Sequence, residues 1–433
     1  MDESPATLIP QARPETRYAP GVVEDPFGGF FDDPGGWTAP AGGLLDVAAA
    51  RRWFDVVGWG VRTRLYSYQQ ALRRLDGAHV ELQGRTLLMF SSYDYLDLIG
   101  HPDINAAAVA AVGQYGTGTG GVRLLTGTNA LHRELEADLA AFKQTEAALT
   151  LSSGYAANVG GIAALFGPRD LVLADEYIHR SVLEGCHVTR VPVRTFAHND
   201  VGSLRSALEA TAQVRRRLIA VEGVYSMDGD VCPLPEIVAL KEEHAAFLLV
   251  DEAHTLGLLG TTGRGLNEHF GLPGSCAEIW TGSLSKTIPA TGGYIAGSRE
   301  LVIYLQHGVA PFMFSAALSP ASTAAARAAL AVMAREPQRI ARLRRNADQL
   351  REGLAAQGWD IGRSSTALVP VIVGHDVEAY RLARRLLDAG VFTTAIVPPA
   401  VPPGSARLRL CATAAHTSED LEEALRAFGA VRA

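Results

Sequence analysis

Short, wholly apolar runs alternate with helix-spaced apolar positions through the middle of the chain. Ala147 to Leu151, Leu171 to Ala174, Leu218 to Glu222 and Ala246 to Asp251 are such runs, each closing on polar or glycine residues. Runs this short, without polar alternation, predict strands buried on both faces, as in parallel sheets. Leu131 to Phe142 and Leu234 to His244 carry apolar residues at helical spacing between them. The pattern is βαβ alternation, so the expected class is α/β with a mainly parallel central sheet. Upstream, His79 to Phe90 reads as a hairpin because two β-prone runs flank Gln83-Gly84. Leu44 to Leu75, with Val47, Trp53, Phe54, Val57 and Val61, suits an amphipathic helix that Gly58 and Gly60 weaken in the middle. From about Ala316 the pattern becomes a long Ala/Arg/Leu-rich helix, then Thr366 to Val373, a helix near Val377 to Ala389 and a strand near Arg407 to Cys411. Residues 1–43, rich in Pro, Gly and Asp, lack periodicity and predict a mobile arm. The expected organisation is that arm, a helix and hairpin segment over 44–100, a large domain over 101–315 and a small α+β domain over 316–433, without internal repeats.

Composition narrows the class of protein. With 433 residues, 48% of them hydrophobic and 20% charged, the chain can bury more than one core. A net charge of −7 offers no broad basic surface, which argues against nucleic acid as a partner. Cys186, Cys232, Cys276 and Cys411 are scattered, without the spacing of a zinc site or a disulfide framework; no metal is expected, and a reducing cytoplasm fits. The start, Met1-Asp2-Glu3-Ser4-Pro5, lacks a basic segment followed by an apolar one, and no later run approaches the ~18 apolar residues of a membrane span.

Chemistry gathers where apolar runs end. In Thr281-Gly282-Ser283-Leu284-Ser285-Lys286-Thr287 a lysine sits among small residues; a desolvated lysine loses its proton more readily and can form an imine with an aldehyde. Alone, such a match more often marks a solvated loop lysine. Leu248-Leu249-Val250-Asp251-Glu252-Ala253-His254 delivers a carboxylate and an imidazole to a strand end, where open α/β sheets bind ligands. Ser152-Ser153-Gly154-Tyr155-Ala156-Ala157-Asn158 follows a strand and opens a helix whose free N–H groups suit a phosphate. Asp175 to His179 and Glu222 to Asp230 follow two more strands, and His179 could lie flat on a planar ring. In Arg407-Leu408-Arg409-Leu410 alternation puts both guanidinium groups on one strand face, where one could hold a carboxylate. Each has a bland counterpart as a cap, a surface loop or an exposed cationic face; together they converge on one sheet edge.

The order of Ser153-Gly154-Tyr155, Asp175 to His179, Glu222 to Asp230, Asp251 to His254, Ser283 to Lys286 and Arg407 to Thr417 resembles the α-oxoamine synthases. The resemblance runs from about Tyr66 to Phe428 and includes Gly116-Thr117-Gly118-Thr119-Gly120-Gly121-Val122-Arg123 and Leu131-His132-Arg133-Glu134-Leu135-Glu136. It implies a fold type I, aminotransferase-like homodimer with active sites at the subunit interface. It implies pyridoxal 5′-phosphate as cofactor, and condensation of an amino acid with an acyl thioester from coenzyme A or a carrier protein, with loss of carbon dioxide in most members. By resemblance Lys286 matches the Schiff-base lysine, Asp251 binds the pyridinium nitrogen, His254 approaches the phenolic oxygen and His179 stacks on the ring. Gly154 and Tyr155, with Ser153, offer donors to the phosphate; Ser283 also reaches it, Ser226 and Glu222 lie beside the cofactor, and Ser315 reaches the neighbouring subunit's phosphate. Arg409 matches the arginine that holds the substrate carboxylate, and Tyr93 lies near the substrate. The chain departs from the family at Ser283, where threonine is usual, and at Pro289 and Asp97, where glycine is usual. The residues alone also leave open an aldolase or aminotransferase on the same fold and a non-catalytic partner subunit.

Overall fold

Burial on both faces explains the apolar runs. A computed structural model of the chain describes residues 42–432, so the arm expected over 1–43 lies outside the described residues except for Gly42 and Gly43. The four runs become the strands Ala147–Leu151, Leu171–Asp175, Arg217–Glu222 and Phe247–Asp251. With Val193–Phe196, Ile279–Ser285 and Pro289–Gly297 they form one seven-stranded sheet. Alternate residues of one strand enter different cores: Leu171 and Leu173 join one apolar cluster, Val172 and Ala174 the other. Neither face can carry polar residues, so period-two alternation disappears.

Across the sheet the strands lie in the order 147–151, 289–297, 279–285, 247–251, 217–222, 171–175 and 193–196. Pro289–Gly297 runs antiparallel to both its neighbours, and the others are parallel. The ends at Leu151, Asp175, Glu222, Asp251 and Ser285 therefore share one edge. Glu222 lies level with Asp251, and Asp251 with Thr281.

Two smaller sheets accompany it among the described residues. His79–Leu82 and Arg85–Met89 form the expected hairpin, with Gln83 and Gly84 both at positive φ, 51° and 72°. That is the backbone a two-residue turn matching the strand twist requires. The hairpin extends through Arg74–Asp76 on one side, and Val391–Phe392 pairs parallel with Arg85–Met89 on the other. Leu368–Gly374, Ala406–Cys411 and Thr394–Ile396 make an antiparallel sheet near the C-terminus.

Two helices differ from their expected extents. The helix expected over 44–75 spans only Ala48–Arg62: Arg64 takes φ 58°, and the N–H groups of Leu65 and Tyr66 both turn back to the Gly60 carbonyl. The apolar residues beyond it pack as a turn rather than on a helical stripe. The long helix after Ala316 is two, Pro320–Arg335 and Gln338–Ala356, divided at Pro337, which cannot supply the N–H that continuation needs.

Candidate active site

The small residues before Lys286 are a packing requirement. They belong to the strand Ile279–Ser285 rather than to a loop, and Lys286 follows its last residue. A Cβ on Gly282 would collide with the Tyr294 ring, and one on Gly293 with the Ser153 carbonyl and the Gly154 nitrogen. Gly293 thus lets the N-terminus of the helix Gly154–Leu165 settle against the sheet edge, and Gly282 makes room for Tyr294. Ser153 caps that helix, its Oγ accepting from Ala156 N–H at 3.0 Å, and Tyr155 is 52% exposed. Ser283 Oγ and Ser285 Oγ are 2.7 Å apart, so the hydroxyl that replaces threonine faces this edge.

Asp251 ends the neighbouring strand and is buried. Its carboxylate accepts from Asn158 Nδ2 at 2.6 Å and Ala253 N–H at 2.9 Å. Burial is the main reason that Lys286 falls below the usual lysine range; Asp251 and Glu222 hold it up, and Arg409 lowers it further. Lys286 makes no hydrogen bond or ion pair among the described residues, and its Nζ stands 5.9 Å from the Tyr93 ring centre. His254 Nδ1 lies 2.8 Å from the buried Tyr95 hydroxyl, and burial holds this imidazole well below its ordinary pKa, with Lys286, Arg409 and His179 adding to the effect. His179, exposed at the sheet edge, caps the helix Arg180–Thr189; partial desolvation lowers its pKa first, Asp251 raises it and Lys286 lowers it. Glu222 receives Ser226 N–H at 3.3 Å, and burial, reinforced by Asp251, pushes its carboxyl well above the usual range.

Arg407 and Arg409 do share a face, and both reach the loop after Glu222. Arg407 donates to Asp228 Oδ1 at 2.6 Å and the Met227 carbonyl at 3.0 Å. Arg409 donates to the Ser226 carbonyl at 3.3 Å and to the Tyr93 hydroxyl, with its guanidinium 4.8 Å from the Tyr93 ring centre. Tyr93 therefore lies between Lys286 and Arg409. Ser315 follows the helix Ala310–Phe314 and makes no hydrogen bond to the other site residues.

The two glycine departures are accommodated locally. Asp97 adopts φ 58°, a left-handed conformation that aspartate tolerates better than most residues, and Arg339 secures the turn by donating to the Leu96 and Asp97 carbonyls. Pro289 pairs with Ser285 at the start of its strand, and a register shift separates it from Gly293. Proline is tolerated at such a strand start.

Four residues here had drawn no role from the sequence: Asn158, Ser181, Thr281 and Tyr95. Asn158 sits one helical turn beyond Gly154, a spacing that returns its side chain to the same face. The link to Ser181 has no such local signal. Cavities of about 360, 690 and 540 Å³ lie elsewhere and include none of these strand-end residues. Chemistry rather than enclosure marks the site.

A parallel sheet ending in a half-buried lysine, a carboxylate, two neutral-leaning imidazoles and a helix N-terminus defines a fold type I pyridoxal-phosphate enzyme. The donor set fits that cofactor: an unpaired amine for its aldehyde, a carboxylate for its ring nitrogen and free helix N–H groups for its phosphate. Comparison agrees. Residues 85–428 match the family aminotransferase class I and II. The chain is 44% identical over 351 residues to 8-amino-7-oxononanoate synthase of Symbiobacterium thermophilum, covering 81% of this chain and 89% of the relative. It is 41% identical over 354 residues to 8-amino-7-oxononanoate synthase 1 of Bacillus subtilis, covering 82% and 90%. The solved serine palmitoyltransferase of Sphingomonas wittichii matches 90% of this chain and 98% of its own at TM-score 0.86 and 31% identity. The chain belongs to the α-oxoamine synthases within the aminotransferase class I and II family.

Proposed function

We propose that this protein condenses an α-amino acid with an acyl thioester, with loss of carbon dioxide, to give an α-amino ketone, and that the residues at the sheet edge carry the reaction. The observation that carries this reading is Lys286, half-buried and unpaired, within the field of Asp251 and 5.9 Å from the ring of Tyr93, which Arg409 holds.

When bound, pyridoxal phosphate supplies an electron sink for negative charge at the amino acid's α-carbon. Lys286 would anchor it through Nζ and, as an amine that burial favours in its neutral form, would serve as the base for the substrate's α-proton. Asp251, with N–H donors on both carboxylate oxygens, holds the ring nitrogen. His254, backed by Tyr95, would hold the phenolic oxygen, and His179 would lie against the ring. Ser153, Gly154, Tyr155 and Ser283 bind the phosphate, with Glu222 and Ser226 beside the cofactor. Arg409 orients the substrate carboxylate through paired N–H donors, and Tyr93 fixes that guanidinium. Four buried free cysteines suit a reducing cytoplasm. Among the described residues no helix is long and apolar enough to cross a membrane.

We further infer a homodimer in which Ser315 serves the neighbouring site. The absence of a hydrogen bond from Ser315 to the other site residues and the 80% exposure of the adjacent Phe314 support that reading.

The named relatives differ in product, so substrate choice is tested directly. Glycine, alanine, serine and longer amino acids are paired with acyl-coenzyme A and acyl-carrier-protein donors of varied chain length, with visible absorbance, released thiol and product mass recorded. One pairing is expected to release thiol and carbon dioxide together. Transfer of the amino group to a keto acid without thiol release would instead establish an aminotransferase.

A further inference from the structure

Asn158 is 2% exposed, and its side-chain amide is fully engaged inside the site. A carboxylate can only accept, so the amide nitrogen must face Asp251, at 2.6 Å, which turns the oxygen toward the Thr281 hydroxyl at 2.7 Å. The second N–H reaches Ser181 Oγ at 2.8 Å. Ser181 is wholly buried, and its oxygen accepts that bond, which leaves its one proton for its other partner, His179 Nδ1, at 2.7 Å. The backbone N–H of Ser181 points to the same Nδ1 at 3.3 Å. Two donors aimed at one ring nitrogen make it an acceptor, and the proton of a neutral imidazole must then sit on Nε2.

We propose that Asn158 is a positioning residue that acts through Ser181 to hold His179 as the neutral Nε2–H tautomer while it fixes one carboxylate oxygen of Asp251. One side chain thus sets two groups that lie on different strand ends and share no direct hydrogen bond. The charged groups that face His179 are Asp251, which favours its protonation, and Lys286, which opposes it. A neutral ring avoids placing a cation against Lys286, or against a protonated pyridine ring held by Asp251. It also presents Nε2–H as a donor on the side away from Ser181. The consequence for catalysis rests on the proposed roles of His179 and Asp251, whereas the relay itself is a property of the apoprotein.

The test is long-range proton–nitrogen NMR of ¹⁵N-histidine apoprotein, with the His179 signals assigned by their loss in His179→Gln. The wild type is expected to show Nε2–H with unprotonated Nδ1 at neutral pH. Ser181→Ala is expected to weaken that preference by ~10-fold, the order of one net hydrogen bond, so that Nδ1–H becomes visible and the titration midpoint rises. Asn158→Leu frees the Ser181 hydroxyl to accept as well as donate, and is expected to give the same mixture. Thr281→Val removes a hydroxyl from the same network without touching the Ser181–His179 link, and should keep the wild-type tautomer. Ser181→Thr, which retains the hydroxyl, should also keep it; this pair carries the test if Asn158→Leu does not fold by circular dichroism. A wild-type His179 that is charged or protonated on Nδ1, or a Ser181→Ala spectrum identical to wild type, overturns the relay. In the holoenzyme Asn158→Leu should lower kcat by ~10-fold or more with a smaller change in the amino-acid KM, as loss of orientation does. An inactive wild type that still shows the expected tautomer would strike the catalytic reading and leave the relay standing.

Discussion

Arg409 and Lys286 are both basic side chains at the half-buried sheet edge, yet their surroundings give them opposite tasks. Arg409 is held by the Ser226 carbonyl and the Tyr93 hydroxyl and stays charged, which suits a carboxylate. Lys286 is unpaired, and burial drives it toward the neutral amine. Arg409→Ala is therefore expected to raise the amino-acid KM by an amount equivalent to ~2–5 kcal/mol, the range for a desolvated charge pair. Tyr93→Phe, which keeps the ring and removes one acceptor, should cost about 1 kcal/mol. Steady-state kinetics with varied amino acid measures both, and an unchanged KM in Arg409→Ala would remove it from carboxylate binding. Lys286→Ala should retain cofactor through the phosphate and ring contacts but lose the covalent link. Borohydride reduction followed by peptide mass mapping should mark the Lys286 peptide in the wild type and no peptide in the variant.

At the scale of elements, the loops around this site are fastened by a residue outside the proposed chemistry. His198 lies between two carboxylates, with Nδ1 3.0 Å from Asp175 and Nε2 2.9 Å from Asp230, and its ring stacks on Tyr177 at 4.5 Å. It thereby joins the loop that carries His179 to the loop that carries Ser226. Burial lowers its pKa, but the two hydrogen bonds and the two negative charges more than reverse this, raising it from 6.5 to about 10. The imidazole holds its proton more tightly folded than unfolded, so its stabilisation is fully present below about pH 6.5 and is lost as pH rises through about 10. His198→Gln should lower stability at neutral pH by roughly 3 kcal/mol, as for removal of one partner of a buried pair. The gap between variant and wild type in urea unfolding should then narrow toward pH 10; a gap independent of pH would mean that the ring acts only by packing. Much at this scale was legible in the chain. The apolar runs gave the strands at 147–151 and 247–251 because parallel strands buried on both faces leave no room for polar residues. The Lys286 segment read as a loop because Gly282 and Ser283, small to admit Tyr294 and the Gly154 helix, have weak strand preference. The Asn158–Ser181 link could not be read, since it depends on two helices meeting across 23 residues of sequence.

The whole molecule leaves large apolar side chains on its surface near the site. Phe314 is 80% exposed, Leu125 77% and Tyr155 52%. Gly121 and Val122, shortly before Leu125, are tied to Ala316 and Ala317 by a β-bridge and a backbone hydrogen bond, which fixes the Leu125 and Phe314 segments beside each other. Scattered exposed apolar residues are ordinary, but a group of them flanking Ser315 and the start of the helix Gly154–Leu165 suits a protein interface. A two-fold dimer buries each such residue twice. If each Phe314 contributes the ~2–3 kcal/mol of a buried aromatic side chain, the symmetric pair contributes about twice that, enough to shift dissociation by several orders of magnitude. Phe314→Glu also places a carboxylate in each copy of that contact, beside the position proposed to meet the neighbouring phosphate. The variant is expected to elute at the mass of one chain where the wild type elutes at two, to release cofactor on gel filtration and to lose activity while retaining its far-ultraviolet dichroism. Light scattering at several concentrations distinguishes dissociation from unfolding. A Phe314→Glu protein that remains a fully active dimer would place the subunit interface elsewhere and withdraw Ser315 from the neighbouring site.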